Sequence, residues 1–155
     1  MRKGKAGWFQ GKYNVINKEK YIGRISPIYR SSYELRFFTY CDKNENVLRW
    51  GSEIIEIPYQ YSLDKYHRIH KYIVDIYCEM LDNNKELKKY LFEIKPKDGL
   101  SKPNPPKIKN KKAMRTYNYK LATFIRNKDK WRSAVRYCNG KGWEFKILTE
   151  KELHI

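Results

Sequence analysis

Acidic residues are scarce in this chain: 17 Asp and Glu stand against 34 Lys and Arg, a formal net charge of +17 over 155 residues. Self-repulsion of that size works against a compact fold. It implies a polyanionic partner, with nucleic acid first and an anionic membrane surface second. Long apolar runs are also missing. None approaches the roughly 18 residues that cross a bilayer, and the basic start MRKGKAGWFQGKY holds no apolar signal segment. No membrane insertion is expected. Cysteine is limited to Cys41, Cys78 and Cys138, widely spaced and without a C-x-x-C pair. That argues against a disulfide framework or a thiolate zinc site and leaves buried thiols of a cytoplasmic protein. Histidine is sparse too. His67 and His70 lie three apart and His154 is the only other, too few ligands for zinc.

What is present suits one domain with one moderate core. Residues 1–28 hold seven Lys and Arg against Glu19 and show little periodicity, so they read as an extended basic arm before a domain over 29–155. A helix is predicted from Ser31 or Ser32 to about Asn44, opened by the capping box Ser31-x-x-Glu34, with Tyr33, Phe37 and Tyr40 on one stripe. Short strands follow over 47–50 and 53–57, the second stopped by Pro58. KYIVDIYCEML (71–81) and ELKKYLFEIK (86–95) flank Asp82-Asn83-Asn84-Lys85 and form a hairpin, Asn supplying the left-handed turn conformation. The loop DGLSKPNPPKIKNKK (98–112) cannot pair into a sheet. Met114, Tyr117, Leu121, Phe124, Trp131, Val135 and Cys138 are spaced as a helix over 111–138, in one piece or broken near Asn127, with a left-handed stop at Asn139-Gly140. A strand over 143–148 and a helical turn over 149–153 close the chain. The order gives an α/β fold, a mixed central β-sheet flanked by helices.

The hairpin carries the chemistry. A three-residue loop centred on Asn84 sets Asp75 directly opposite Glu93, whereas a two-residue loop shifts the register by one. Lys95 shares the face of Glu93, and Pro96 ends the strand there. Two facing carboxylates repel unless a cation lies between them, and oxygen-only ligation suits Mg²⁺ or Mn²⁺. Glu34 shares a helical stripe with Phe38 and Cys41, which turns its carboxylate toward the sheet; the alternative is a bond back to the Ser31 amide in the capping box.

An Asp, then about twenty residues, then E-x-K, preceded by a helix bearing Glu, resembles the PD-(D/E)xK nuclease superfamily, with Val74-Asp75 in HKYIVD and Glu93-Ile94-Lys95 in FEIKP. Val74 stands where that superfamily usually has Pro. IYRSSYELRFFTYCDKNENVLRW (28–50), EIIEIPY (53–59), HKYIVDIY (70–77), FEIKPK (92–97), KWRSAVRYC (130–138) and FKILTEKEL (145–153) further resemble the head completion nucleases of large contractile-tailed bacteriophages.

That resemblance implies a restriction-endonuclease-like core and metal-assisted phosphodiester hydrolysis. Asp75, Glu93, the Ile94 carbonyl and Glu34 would hold the metal. Lys95 would align the attacking water or stabilise the transition state, and would hold the carboxylate pKa values down. It also implies double-stranded DNA as substrate, and capsid, portal or neck proteins as partners, in the host cytoplasm and then at the virion head and neck. The cations beside the proposed site are expected to hold the DNA backbone: Arg30, His70, Lys97, Lys102, Lys107, Lys109, Lys111, Lys112 and Arg115. Two other readings stay open: a non-enzymatic DNA-gripping plug of the phage neck, and a restriction, repair or junction-resolving nuclease of the same superfamily.

Overall fold

Period-two alternation in the central hairpin gives the sheet two apolar faces, and each is covered by one helix. The computed structural model describes residues 9–154 and the backbone of residues 2 and 3. Along the chain the strands are β1 (Arg2–Lys3), β2 (Phe9–Lys12), β3 (Ile28–Tyr29), β4 (Val47–Ser52), β5 (Glu56–Gln60), β6 (Ile69–Ile73), β7 (Ile76–Leu81), β8 (Leu87–Ile94) and β9 (Glu144–Leu148). The helices are α1 (Ser32–Lys43) and α2 (Lys111–Lys141), with a 3-10 turn at Lys97–Leu100.

The main sheet runs β4-β7-β8-β9, antiparallel except for the parallel pair β8 and β9. This is the expected mixed central sheet between helices. Ile76, Cys78, Phe92 and Ile94 face α1, where they pack with Phe37, Phe38, Cys41 and Trp50. Tyr77 and Leu91 point the other way, onto Trp131, Ala134 and Cys138 of α2. All three cysteines are buried free thiols.

Of the two loop lengths open to the sequence, the hairpin takes three residues: Ile76 pairs with Phe92 and Leu81 with Leu87. The left-handed residue, however, is Lys85 (φ 61°), not an asparagine. Asp82 decides this, because its carboxylate accepts the amides of Asn84 and Glu86 while its carbonyl accepts that of Lys85. The result is a type I turn followed by one left-handed residue.

Four boundaries differ from expectation. The run 71–81 breaks at Val74 and Asp75, because β6 pairs with β5 whereas β7 pairs with β4 and β8. Pro58 does not stop a strand but sits within β5, whose only partner among the described residues is β6, so its missing N–H costs no ladder bond. Helix α2 is one unbroken element of 31 residues that passes Asn139-Gly140 and ends at Gly142 (φ 71°). From Phe9 onward the supposed arm is packed against the domain; the remainder of it, apart from the backbone of β1, lies outside the described residues. The packing is specific: Asp42, fully buried on α1, accepts the Tyr13 hydroxyl at 2.8 Å and the amides of Ile16 and Asn17 at 2.8 and 2.9 Å.

Candidate active site

The break at Val74 and Asp75 has a functional consequence. Val74 is buried and donates its amide to the Ile55 carbonyl, while the Asp75 carbonyl accepts the Glu53 amide. Both bonds fix the backbone just before β7, and the register carried one step beyond Ile76 and Phe92 sets Asp75 opposite Glu93. Side-chain parity places both on the α2 face. Lys95 follows on the same face, its Nζ 3.4 Å from Glu93 Oε1. Glu93 and Lys95 thus form an ion pair within a larger cluster.

Glu34 reaches that cluster from the first turn of α1. Ser31 caps the helix by accepting the Glu34 amide at 3.1 Å. The reciprocal bond goes to Arg30, whose amide donates to Glu34 Oε2 at 2.5 Å, so the capping box closes one residue early. Glu34 is half-buried, beside the buried Phe38 and Cys41 of its stripe.

The electrostatics tie the four groups together. Burial, and after it the Glu93 carboxylate, push the Asp75 carboxyl up to about 8; Glu34 adds to this, while the Ile94 amide and Lys95 oppose it. Burial likewise raises Glu34, against the pull of the Arg30 amide and charge. The expectation that Lys95 would hold the carboxylates low therefore fails at Asp75. One partly screened cation does not outweigh burial and two neighbouring acids.

Among the described residues no three acidic, histidine or cysteine side chains are gathered as a ready-made metal cage. Each carboxylate is turned to a protein donor. Asp75 accepts the Ile94 amide at 2.8 Å, and Glu93 accepts the Tyr72 hydroxyl at 2.5 Å besides its contact with Lys95. The donor set still fits a hard divalent cation. It consists of carboxylate oxygens, and Asp75, raised by burial and then by Glu93, feels a like charge that such a cation would relieve.

The TnsA-like endonuclease N-terminal family matches residues 44–150, a stretch that contains Asp75, Glu93 and Lys95. The chain belongs to this endonuclease family. It is also similar to the head completion nuclease of Enterobacteria phage T4, with 34% identity over 146 residues covering 94% of this chain and 93% of that protein. Glu34 lies before the stretch that the family matches.

The endonuclease spreads its expected DNA-contacting cations unevenly. Arg30 is exposed at the rim of the acidic cluster and pairs with Glu53 at 2.6 Å. Lys97 follows Pro96 directly, its amide held by Glu150. Lys102, Lys107 and Lys109 are exposed on the proline loop, and Lys111, Lys112 and Arg115 on the first turns of α2, which Asn110 caps through the Ala113 amide. His70 differs. Its Nε2 is 2.8 Å from Asp64, and its ring packs near Tyr59 and Tyr61, so it serves a loop clasp that also binds Arg68.

Two residues of this candidate site carry no local sequence pattern that marks both. Tyr72 on β6 bonds Glu93 across two sheets, a pairing that no local pattern encodes. Lys130 on α2 is half-buried beside Glu93 and Asp75. One signal did exist for it: Lys130 sits four and eight residues before the buried Ala134 and Cys138, a cation in an otherwise inward column.

Proposed function

We propose that this endonuclease is divalent-metal-dependent and cuts double-stranded DNA at the head of a contractile-tailed phage before the tail is attached. The observation that carries the reading is Asp75, set opposite Glu93 and next to Lys95, with its carboxyl raised to about 8. Asp75, Glu93, the Ile94 carbonyl and Glu34 would hold Mg²⁺ or Mn²⁺. Bound there, such an ion supplies Lewis-acid charge to the scissile phosphate and lowers the pKa of an attacking water.

The chain's own residues do the rest. Tyr72 fixes the rotamer of Glu93 through its hydroxyl. Lys95, which lies 3.4 Å from Glu93 Oε1, would orient the water or meet the charge that develops on the phosphate. The lysines of the proline loop and of the start of α2 hold the DNA backbone and set no sequence preference. The likeness to a head completion nuclease supports action on DNA-filled heads, beginning in the host cytoplasm and ending at the head and neck, against capsid, portal or neck proteins.

The test is nicking of supercoiled plasmid by the full chain with Mg²⁺ or Mn²⁺, with Asp75→Asn as the comparison. Metal-dependent nicking lost in Asp75→Asn is the expected result. Equal nicking by both proteins, or none by the unaltered chain with either metal, overturns the reading.

A further inference from the structure

Helix α2 brings to the acidic cluster a cation that the E-x-K motif does not contain, Lys130, and carries a second, Arg126, one turn away. Lys130 is half-buried, with its Nζ 5.5 Å from the centre of the Tyr72 ring and 6.0 Å from that of Tyr59. Tyr72 is the residue whose hydroxyl holds Glu93, so the ammonium lies against the support of a candidate metal ligand. Arg126, one turn earlier on the same face, is exposed, and its guanidinium stands 4.4 Å from the Tyr61 ring centre. Neither cation has an ion-pair partner among the described residues.

Lys130 is costly where it stands. Burial works most against its charge, Glu93 favours it next, Lys95 and Arg126 repel it, and Asp75 adds a smaller attraction. The faces of Tyr59 and Tyr72 return part of that cost by cation–π attraction. An apolar residue in the same column, like Ala134 and Cys138, would pack there without any of it. A ligand that satisfies the ammonium must be anionic and must reach the cluster. Lys95 stands immediately after β8 and Lys130 on α2, so an anion seated at Glu93 is approached from two sides. Residues one turn apart on a helix have Cβ atoms about 5–6 Å apart, which lets the second cation meet a neighbouring anion on one extended polymer.

We propose that Lys130 contacts the scissile phosphate from α2 while Lys95 approaches it from the end of β8, and that Arg126 holds the adjacent phosphate of the same strand. The assignment rests on the nuclease reading above and deepens it. Lys130 is then a catalytic residue in the strict sense of touching the reacting group. Arg126 sets the path of the strand, its guanidinium plane kept by stacking on Tyr61.

The experiment uses the full chain and a duplex oligonucleotide whose cut position has been mapped with the unaltered protein. Lys130→Met is expected to lower the single-turnover rate at saturating DNA at least a hundredfold, and Lys130→Arg to retain at least a tenth of it. Arg126→Ala is expected to raise KM about tenfold with little change in kcat. A single neutral methylphosphonate at the adjacent phosphate should cost the unaltered protein about tenfold and Arg126→Ala nothing further. A second arm reads binding without cleavage. In the Asp75→Asn background, each of Lys130→Met and Arg126→Ala should reduce the slope of log affinity against log salt by roughly 0.9. Full cleavage by Lys130→Met, equal loss in its Met and Arg forms with folding intact, or undiminished methylphosphonate sensitivity in Arg126→Ala overturns the assignment. If the unaltered protein cuts nothing, the nuclease reading fails, and unchanged salt slopes would still overturn the phosphate contacts on their own.

Discussion

The Asp75 carboxylate accepts a hydrogen bond from the Ile94 amide at 2.8 Å, so the acid that precedes β7 is tied to the backbone between Glu93 and Lys95. Strand β7 begins only at Ile76, and the carboxylate takes the place of the next ladder acceptor. In an antiparallel ladder the N–H and C=O of one residue face the same neighbour, which turns the Ile94 carbonyl toward Asp75 as well. Two of the oxygens proposed as metal ligands are therefore oriented by the sheet itself.

That geometry gives a pH-dependent stability. The Asp75 carboxyl is raised from 3.8 to about 8 on folding. The folded state thus holds this proton more tightly than the unfolded chain does. The resulting stability is fully present below about pH 4 and is lost as the pH rises through 8. Asp75→Asn should flatten this part of the profile and, without metal, exceed the unaltered protein above pH 8 by on the order of 2 kcal/mol. Added Mg²⁺ should raise the melting temperature of the unaltered protein, more at pH 8.5 than at pH 6, and leave Asp75→Asn unmoved. Melts across pH 4–9 with and without metal read both effects; parallel profiles for the two proteins would contradict them.

Tyr72→Phe leaves Glu93 Oε2 without its 2.5 Å donor in a buried position. A loss of about 1–2 kcal/mol is expected. Metal affinity should weaken roughly tenfold, since the group that orients a ligand is removed while the ligand stays. Denaturant unfolding gives the first quantity and calorimetric Mg²⁺ or Mn²⁺ titration the second. Unaltered metal affinity would separate Tyr72 from the site.

Asp42→Ala should detach the N-terminal segment. Burial raises the Asp42 carboxyl, but the amides of Ile16 and Asn17 and the Tyr13 hydroxyl overcome it and hold it below its ordinary value. These charge-assisted bonds therefore contribute above the unfolded value of 3.8 and fade as the pH falls through the lower folded one. Their removal should cost about 3 kcal/mol at pH 7 and should expose residues 13–20 to proteolysis and hydrogen exchange before the main sheet opens. Loss of protection at the same rate throughout the chain would show that the segment is not separately anchored.

Removal of Lys107, Lys109, Lys111 and Lys112 together tests the DNA path. Each residue in phosphate contact should take roughly 0.9 from the slope of log affinity against log salt on duplex DNA. An unchanged slope in a filter-binding or anisotropy series would move the path away from the proline loop.

Helix α1 and the central hairpin were legible because the signals that make them are short-ranged. A Ser31 cap, a stripe of Phe38 and Cys41, and a three-residue loop closed by Asp82 act over a few residues each. The hairpin register followed from loop length, and with it the opposition of Asp75 and Glu93. Boundaries were less legible. Pro58 and Asn139-Gly140 read as stops, yet an edge strand spares the one, and the other lies within the last turn of a helix that continues to Gly142.

The sequence by itself determined which face each hairpin side chain takes and that Asp75, Glu93 and Lys95 share one, since side-chain direction in paired strands follows from backbone period and loop length alone. Only the tertiary structure decided what meets that face. Tyr72 reaches Glu93 because β6 leaves the main sheet to pair with β5, and Lys130 and Arg126 arrive on a helix that begins 16 residues after Lys95. Burial of Trp131, Ala134 and Cys138 against the sheet sets the rotation of that helix. That choice among helix faces is made by packing between distant segments, which the pattern of either segment taken alone does not contain.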